Sequence, residues 1–230
     1  MKRMFLTFLC ITSSQTYSHA NHQLASPFFQ KLGMAAQEAI GIEHPQPLYL
    51  LDQNHPKTAM IAAKTTKDGI FINPDVLSRL SYGELQAYLR HEAFHAKNND
   101  PEYLATAITT SRFVSGGMAY ALLGRLAQHH RFSWSLGVAT LAGAITHRLA
   151  LLFIESRADR EGLYATQCAT CAQEVFEHAC QTKNNKKFHS LDIGYLPPEE
   201  IALIVKDLKG QSCSYHASTE NFSVFETHSC

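Results

Sequence analysis

The chain has 230 residues, 45% of them hydrophobic, enough for one well-buried core, so a single domain is expected. Its formal net charge is zero and no long single-sign run occurs, so nothing argues for nucleic acid as a partner. The 13 histidines are many for this length and suggest metal chemistry without establishing it. The chain opens like an export signal. Lys2-Arg3 form a basic start, Met4 to Ile11 a short apolar stretch, and Ser18-His19-Ala20 a small-residue cleavage site. Residues 1–20 are therefore expected to be a signal peptide, residues 21–230 one mature domain, and its place the periplasm or the secreted fraction.

Phe28, Phe29, Leu32, Met34, Ala35 and Ala39 recur at helical spacing and predict an amphipathic helix within 21–45. Leu48 to Leu51 reads as a short strand, Thr58 to Ala63 as extended, and Gly69 to Ile72 as a strand after the Lys67-Asp68-Gly69 turn. Ser81, with Glu84 three residues on, forms a capping box. The helix that it starts should run from about Tyr82 to about Asn98, with Pro101 limiting it. Two apolar arms follow, Leu104 to Gly124 and Phe132 to Ile154, joined by a basic turn from Arg125 to Arg131. A further helix is expected from Glu155 to about Cys180, then a polar loop at Asn184 to Lys187. A last helix opens at Pro197-Pro198 and runs to about Leu208, before an irregular polar tail.

The Tyr82 helix carries His91-Glu92-Ala93-Phe94-His95. Positions i and i+4 share one face, one turn apart, so two imidazoles there can bind one tetrahedral zinc ion. Glu92 follows the first imidazole and can take a proton from a water that the metal activates for attack on a carbonyl. A third protein ligand is needed, and Glu155 is the candidate. Two histidines and one carboxylate leave the fourth position for water. Asp159 lies one turn beyond Glu155 and can accept a hydrogen bond from a ligating imidazole, fixing its tautomer. Ala158 is small enough to let this helix approach the first.

The pairing of His91-Glu92-Ala93-Phe94-His95 with Glu155-Ser156-Arg157-Ala158-Asp159-Arg160-Glu161-Gly162 resembles the HtpX and CAAX-prenyl-endopeptidase type of zinc metallopeptidase, metallopeptidase family forty-eight. The likeness covers about residues 45–165. It implies an α+β fold: a mainly helical zinc-peptidase domain with a small antiparallel or mixed sheet, and an apolar helical hairpin (104–154) inserted between the halves of the metal site. It implies one Zn2+ per chain, a protein or peptide substrate, and an edge strand, here Met60 to Lys64, that holds the substrate extended. His216, in His216-Ala217-Ser218-Thr219-Glu220, corresponds to a family histidine that can stabilise an oxyanion. Here Ala217 stands where that family has proline.

Each apolar arm has just over twenty residues, enough to span a bilayer. Arg112 and His147-Arg148 count against spanning, since charge is costly in lipid, while Arg125 and Arg131 would suit a cytoplasmic loop. Two readings stay open, membrane association through 104–154 and a hairpin buried against the core. After the expected cleavage, Cys168, Cys171, Cys180, Cys213 and Cys230 remain. Disulfides among them suit an exported protein. A single Cys168-x-x-Cys171 can also be a redox pair or, with His178 and Cys180, a second metal site. The functional expectation is thus a zinc endopeptidase. The alternatives are a non-cleaving binding or chaperone-like module on the same fold, and a thiol-redox protein using Cys168 and Cys171.

Overall fold

The computed structural model describes residues 23–51, 62–123, 131–184 and 196–211. The expected signal segment 1–20, residues 124–130, residues 185–195, Cys213, His216, Cys230 and the rest of the tail lie outside them, as do the side chains of His178 and Cys180. The described residues are mostly helical with one small mixed sheet, an α+β arrangement.

Helix α1 (Pro27–Ala39) starts with proline at its first turn and buries Phe29, Leu32 and Ala36 along one stripe. It lies close to strand β1 (Leu48–Leu50). A Cβ on Gly33 would come within 2.2 Å of a Leu48 methyl, so the glycine lets helix and strand lie this close without displacing that side chain. Gln30 bonds β1 through both ends of its amide, to Leu48 O at 2.6 Å and from Leu48 N at 3.0 Å. Strands β2 (Ala63–Thr66) and β3 (Gly69–Ile72) complete the sheet in the order β1-β3-β2. β1 runs parallel to β3, and β2 antiparallel to it through the Lys67-Asp68 turn, with Gly69 at φ 140°. β3 is central and buried throughout, whereas β2 forms an edge among the described residues. The strand expected at Met60 to Lys64 thus falls in register at its last two residues; Met60 and Ile61 lie outside the described residues.

Asn73 accepts the Asp75 N–H and caps a short helix, α2 (Pro74–Leu77), which the sequence reading lacks. Helix α3 (Tyr82–Asn98) has its predicted bounds. Both capping-box bonds form: Ser81 N donates to Glu84 Oε2 at 2.6 Å, and Glu84 N to Ser81 Oγ at 3.2 Å. α3 is the central element. Its Leu85 and Leu89 pack with Leu32, Leu48 and Ile72, while Ala87 faces Leu163, Val175 and Ile201. Burying one such leucine is worth about 1.5–3 kcal/mol.

α3 ends where Asn99 turns left-handed at φ 51°, and α4 (Asp100–Leu123) restarts at once. α5 (Arg131–Ala165) then runs unbroken through the second apolar arm and the Glu155 segment. The helix expected from Glu155 to about Cys180 is therefore two helices. Thr166 donates to Leu163 O, accepts from Cys168 N, and with Gln167 at φ 49° ends α5. α6 (Ala169–Asn184) and α7 (Pro198–Asp207) follow.

α4 and α5 pack on each other along a seam of small residues. Ser111 Oγ and Thr146 Oγ1 lie 2.7 Å apart, and Gly116 faces Ala139. The large apolar side chains point outwards; Phe113 is 78% exposed, and Met118, Leu122, Trp134, Leu141 and Phe153 are also exposed. A hairpin buried against the core is thus not what forms. Among the described residues, one helix, Phe132–Ala165, is long and apolar enough to cross a membrane; α4, with Arg112 at its middle, does not reach that mark.

Candidate metal centre

Two helices build the site. α3 supplies His91, Glu92 and His95, and α5 supplies Glu155 and Asp159. They come close because Ala158 is fully buried and Gly162 lies on α3. A Cβ on Gly162 would meet His91 N at 3.0 Å and Ala87 O at 3.3 Å, tighter than ordinary packing against backbone that cannot swing aside.

His91 Nε2 and His95 Nε2 face each other at 2.9 Å. Glu155 Oε2 lies 3.2 Å from the first and 3.5 Å from the second. Three ligand atoms, two imidazole nitrogens and one carboxylate oxygen, thus lie within 4.8 Å of one another, a group that could hold a metal ion. The outer nitrogens are also engaged. His91 Nδ1 is 2.7 Å from Asp159 Oδ1, and His95 Nδ1 is 2.9 Å from Asp100 Oδ2. Each Nδ1–H donates to a carboxylate, which turns the Nε2 lone pair inwards. This donor set and its anchoring fit a resident metal ion.

The charges agree with that geometry. Burial pulls the His91 imidazolium down, but hydrogen bonds to Asp159 and Glu155 outweigh it and raise its pKa to about 10. His95 is also raised: burial and the neighbouring His91 oppose the shift, and Glu155 and Glu92 drive it. Burial pushes the Glu155 carboxyl up, yet its bonds to the two imidazoles hold it at about 2.

Glu92 is 5% exposed and turned towards β2. The Thr65 hydroxyl lies 2.7 Å from Glu92 Oε2 and 2.9 Å from the Glu92 carbonyl, so this edge strand orients the carboxylate. The structure thus brings together His91, Glu92, His95, Glu155 and Asp159; His216 lies outside the described residues.

Besides Thr65, two groups at the site, Asp100 and Arg157, escape sequence reasoning. Asp100 reaches His95 only because Asn99 turns left-handed and folds the chain back, and helical spacing carries no sign of that. Arg157 Nη2 bonds Asp100 Oδ1 at 2.6 Å, and its guanidinium lies over the rings of Phe94 and Phe153. Asn99-Asp100-Pro101 was the available signal: a residue that tolerates the left-handed turn, then a carboxylate at a new helix start.

Neither Cys168 nor Cys171 belongs to this ligand group. Cys168 is disulfide-bonded, while Cys171 is a buried free thiol pushed up to about 11 by burial and by Glu174. The two are not bonded to each other, and a thiol so raised is a poor nucleophile near neutrality. No family model, curated protein or solved structure matches the chain.

Proposed function

We propose that the protein is a zinc-dependent endopeptidase in which His91, His95 and Glu155 hold the metal and Glu92 is the general base. The observation that carries this reading is the convergence of two anchored imidazoles and one carboxylate beside a buried, oriented Glu92. Nitrogen and carboxylate donors with three protein ligands suit a catalytic zinc site. When bound, zinc supplies a Lewis acid and brings a water's pKa towards neutrality. The rest falls to the chain's own residues. Asp159 and Asp100 fix the imidazole tautomers at Nδ1. Thr65 holds Glu92 Oε2, and the carboxylate takes the water's proton and passes it to the leaving amine. The edge strand β2 holds the substrate backbone extended by main-chain pairing. The resemblance of the paired motifs to the HtpX type of peptidase supports the same reading, and the separate states of Cys168 and Cys171 speak against a dithiol redox pair.

Purified protein should cleave unfolded casein; a chelator should stop it and added zinc restore it. A thiol-blocking reagent should leave the rate unchanged. Chelator-resistant cleavage, or none at all with zinc bound, would overturn the assignment, the second result favouring a non-cleaving binding module.

The same proposal sets the protein at a membrane through the α4–α5 hairpin, with the site at the end of the apolar stretch of α5. Small residues inside the hairpin and large apolar ones outside invert the pattern of a water-soluble pair and suit lipid. The cellular protein should resist a carbonate wash of membranes. Arg112→Leu should strengthen that retention, because an arginine in lipid costs about 2.5–3.5 kcal/mol on insertion scales. A protein wholly in the soluble fraction would refute the membrane placement and leave the peptidase reading standing.

A further inference from the structure

Tyr88 stands one turn before Glu92 on α3, and its place in the sequence marks no role for it. Its ring stacks on His91, with centroids 6.0 Å apart and planes 17° from parallel. The hydroxyl reaches β2, where it meets the backbone N–H of Ala63. A tyrosine phenol is neutral at ordinary pH and so carries a proton to donate.

The register of the sheet shows where that hydroxyl lies. Ala63 pairs with Ile72 and Lys64 with Phe71, and Asn73 N donates to Ala62 O. The hydrogen-bonded pairs are therefore Ala62 with Asn73 and Lys64 with Phe71, so Ala63 and Thr65 turn their main-chain groups away from β3, towards the edge. Glu92 faces Thr65 and Tyr88 faces Ala63. Base and phenol, at i+4 and i on one helical face, thus flank the same two residues of the edge strand. A phenol that accepts the Ala63 N–H keeps its own proton to donate, and accepting one bond strengthens the other. A substrate strand that pairs with β2 takes over the Ala63 N–H and leaves the phenol beside the incoming carbonyl.

We propose that Tyr88 is a catalytic residue of this hydrolysis, its hydroxyl donating a hydrogen bond to the oxygen of the peptide carbonyl under attack. This rests on the metallopeptidase reading. It gives the charge that develops on that oxygen a donor within the described fold.

Tyr88→Phe keeps the ring on His91 and removes only the hydroxyl. Casein cleavage should fall in kcat by about 10²–10³-fold, with KM and zinc affinity near the parent's. Calorimetry with a phosphonamidate peptide, a tetrahedral mimic, should show an affinity loss comparable to the loss in kcat/KM. Parent-like kcat and parent-like mimic affinity would overturn the proposal, as would a loss confined to zinc affinity or KM. If the parent cleaves casein in a zinc-dependent way and Tyr88→Phe does so equally fast, this inference fails alone. If the zinc-loaded parent neither cleaves casein nor binds the mimic, the peptidase reading fails and this inference with it.

Discussion

Glu92→Gln is expected to lower casein hydrolysis by about 10²–10⁴-fold while zinc content and thermal stability stay at the parent's values. The amide has the carboxylate's shape, and its oxygen can still accept the Thr65 hydroxyl, which lies 2.7 Å from Oε2 in the parent. What it lacks is the ability to take a proton. At 5% exposure the side chain is packed, so an alanine there would mix lost chemistry with a cavity; glutamine separates the two. Zinc analysis and a melting curve on the same sample decide which link has failed. Unchanged hydrolysis would remove Glu92 as the base. Lost hydrolysis together with lost zinc would mean that the carboxylate serves the metal site and not the proton transfer.

Much of this site is legible in the sequence because it is written at helical spacing. His91 to His95 and Glu155 to Asp159 are both i to i+4 pairs, and the Ser81–Glu84 box sets the start of α3. What the sequence conceals depends on where separate elements meet. Thr65 is an ordinary strand residue until α3 crosses β2 at Glu92. Asp100 belongs to a different helix from His95, and only the left-handed Asn99 brings it back. The apolar arms show the same limit. Their composition fits a buried hairpin as well as an exposed one. The difference lies in which faces meet, and Ser111, Thr146, Gly116 and Ala139 meet at the seam while Phe113 and Trp134 point away. Gly162 reads as a weak point in a helix until His91 N and Ala87 O are seen against it.

Zinc affinity is expected to rise about tenfold per pH unit, about 100-fold from pH 6 to pH 8, through release of one proton. The geometry sets that number. His91 Nε2 and His95 Nε2 lie 2.9 Å apart, so at most one of them carries a hydrogen in the metal-free protein. The Nδ1 hydrogens stay where they are, donated to Asp159 and Asp100. A metal needs both Nε2 lone pairs, so it must displace that one proton. With His91 raised to about 10, the metal-free site holds the proton across the whole window, and competition weakens as pH rises. A group raised in this way stabilises the metal-free fold most below pH 6.5 and loses that contribution as pH climbs towards 10, so the metal-free protein should also melt at lower temperature at pH 9 than at pH 6. Glu155→Gln supplies the check on cause. It removes one of the carboxylates that raise His91, so zinc should bind more weakly overall and the pH curve should bend towards flatness inside the window. Competitive titration against a chelating dye at several pH values measures both curves. A parent affinity that does not change between pH 6 and pH 8 would mean that the metal displaces no imidazole proton in that window, and would overturn the raised His91 pKa.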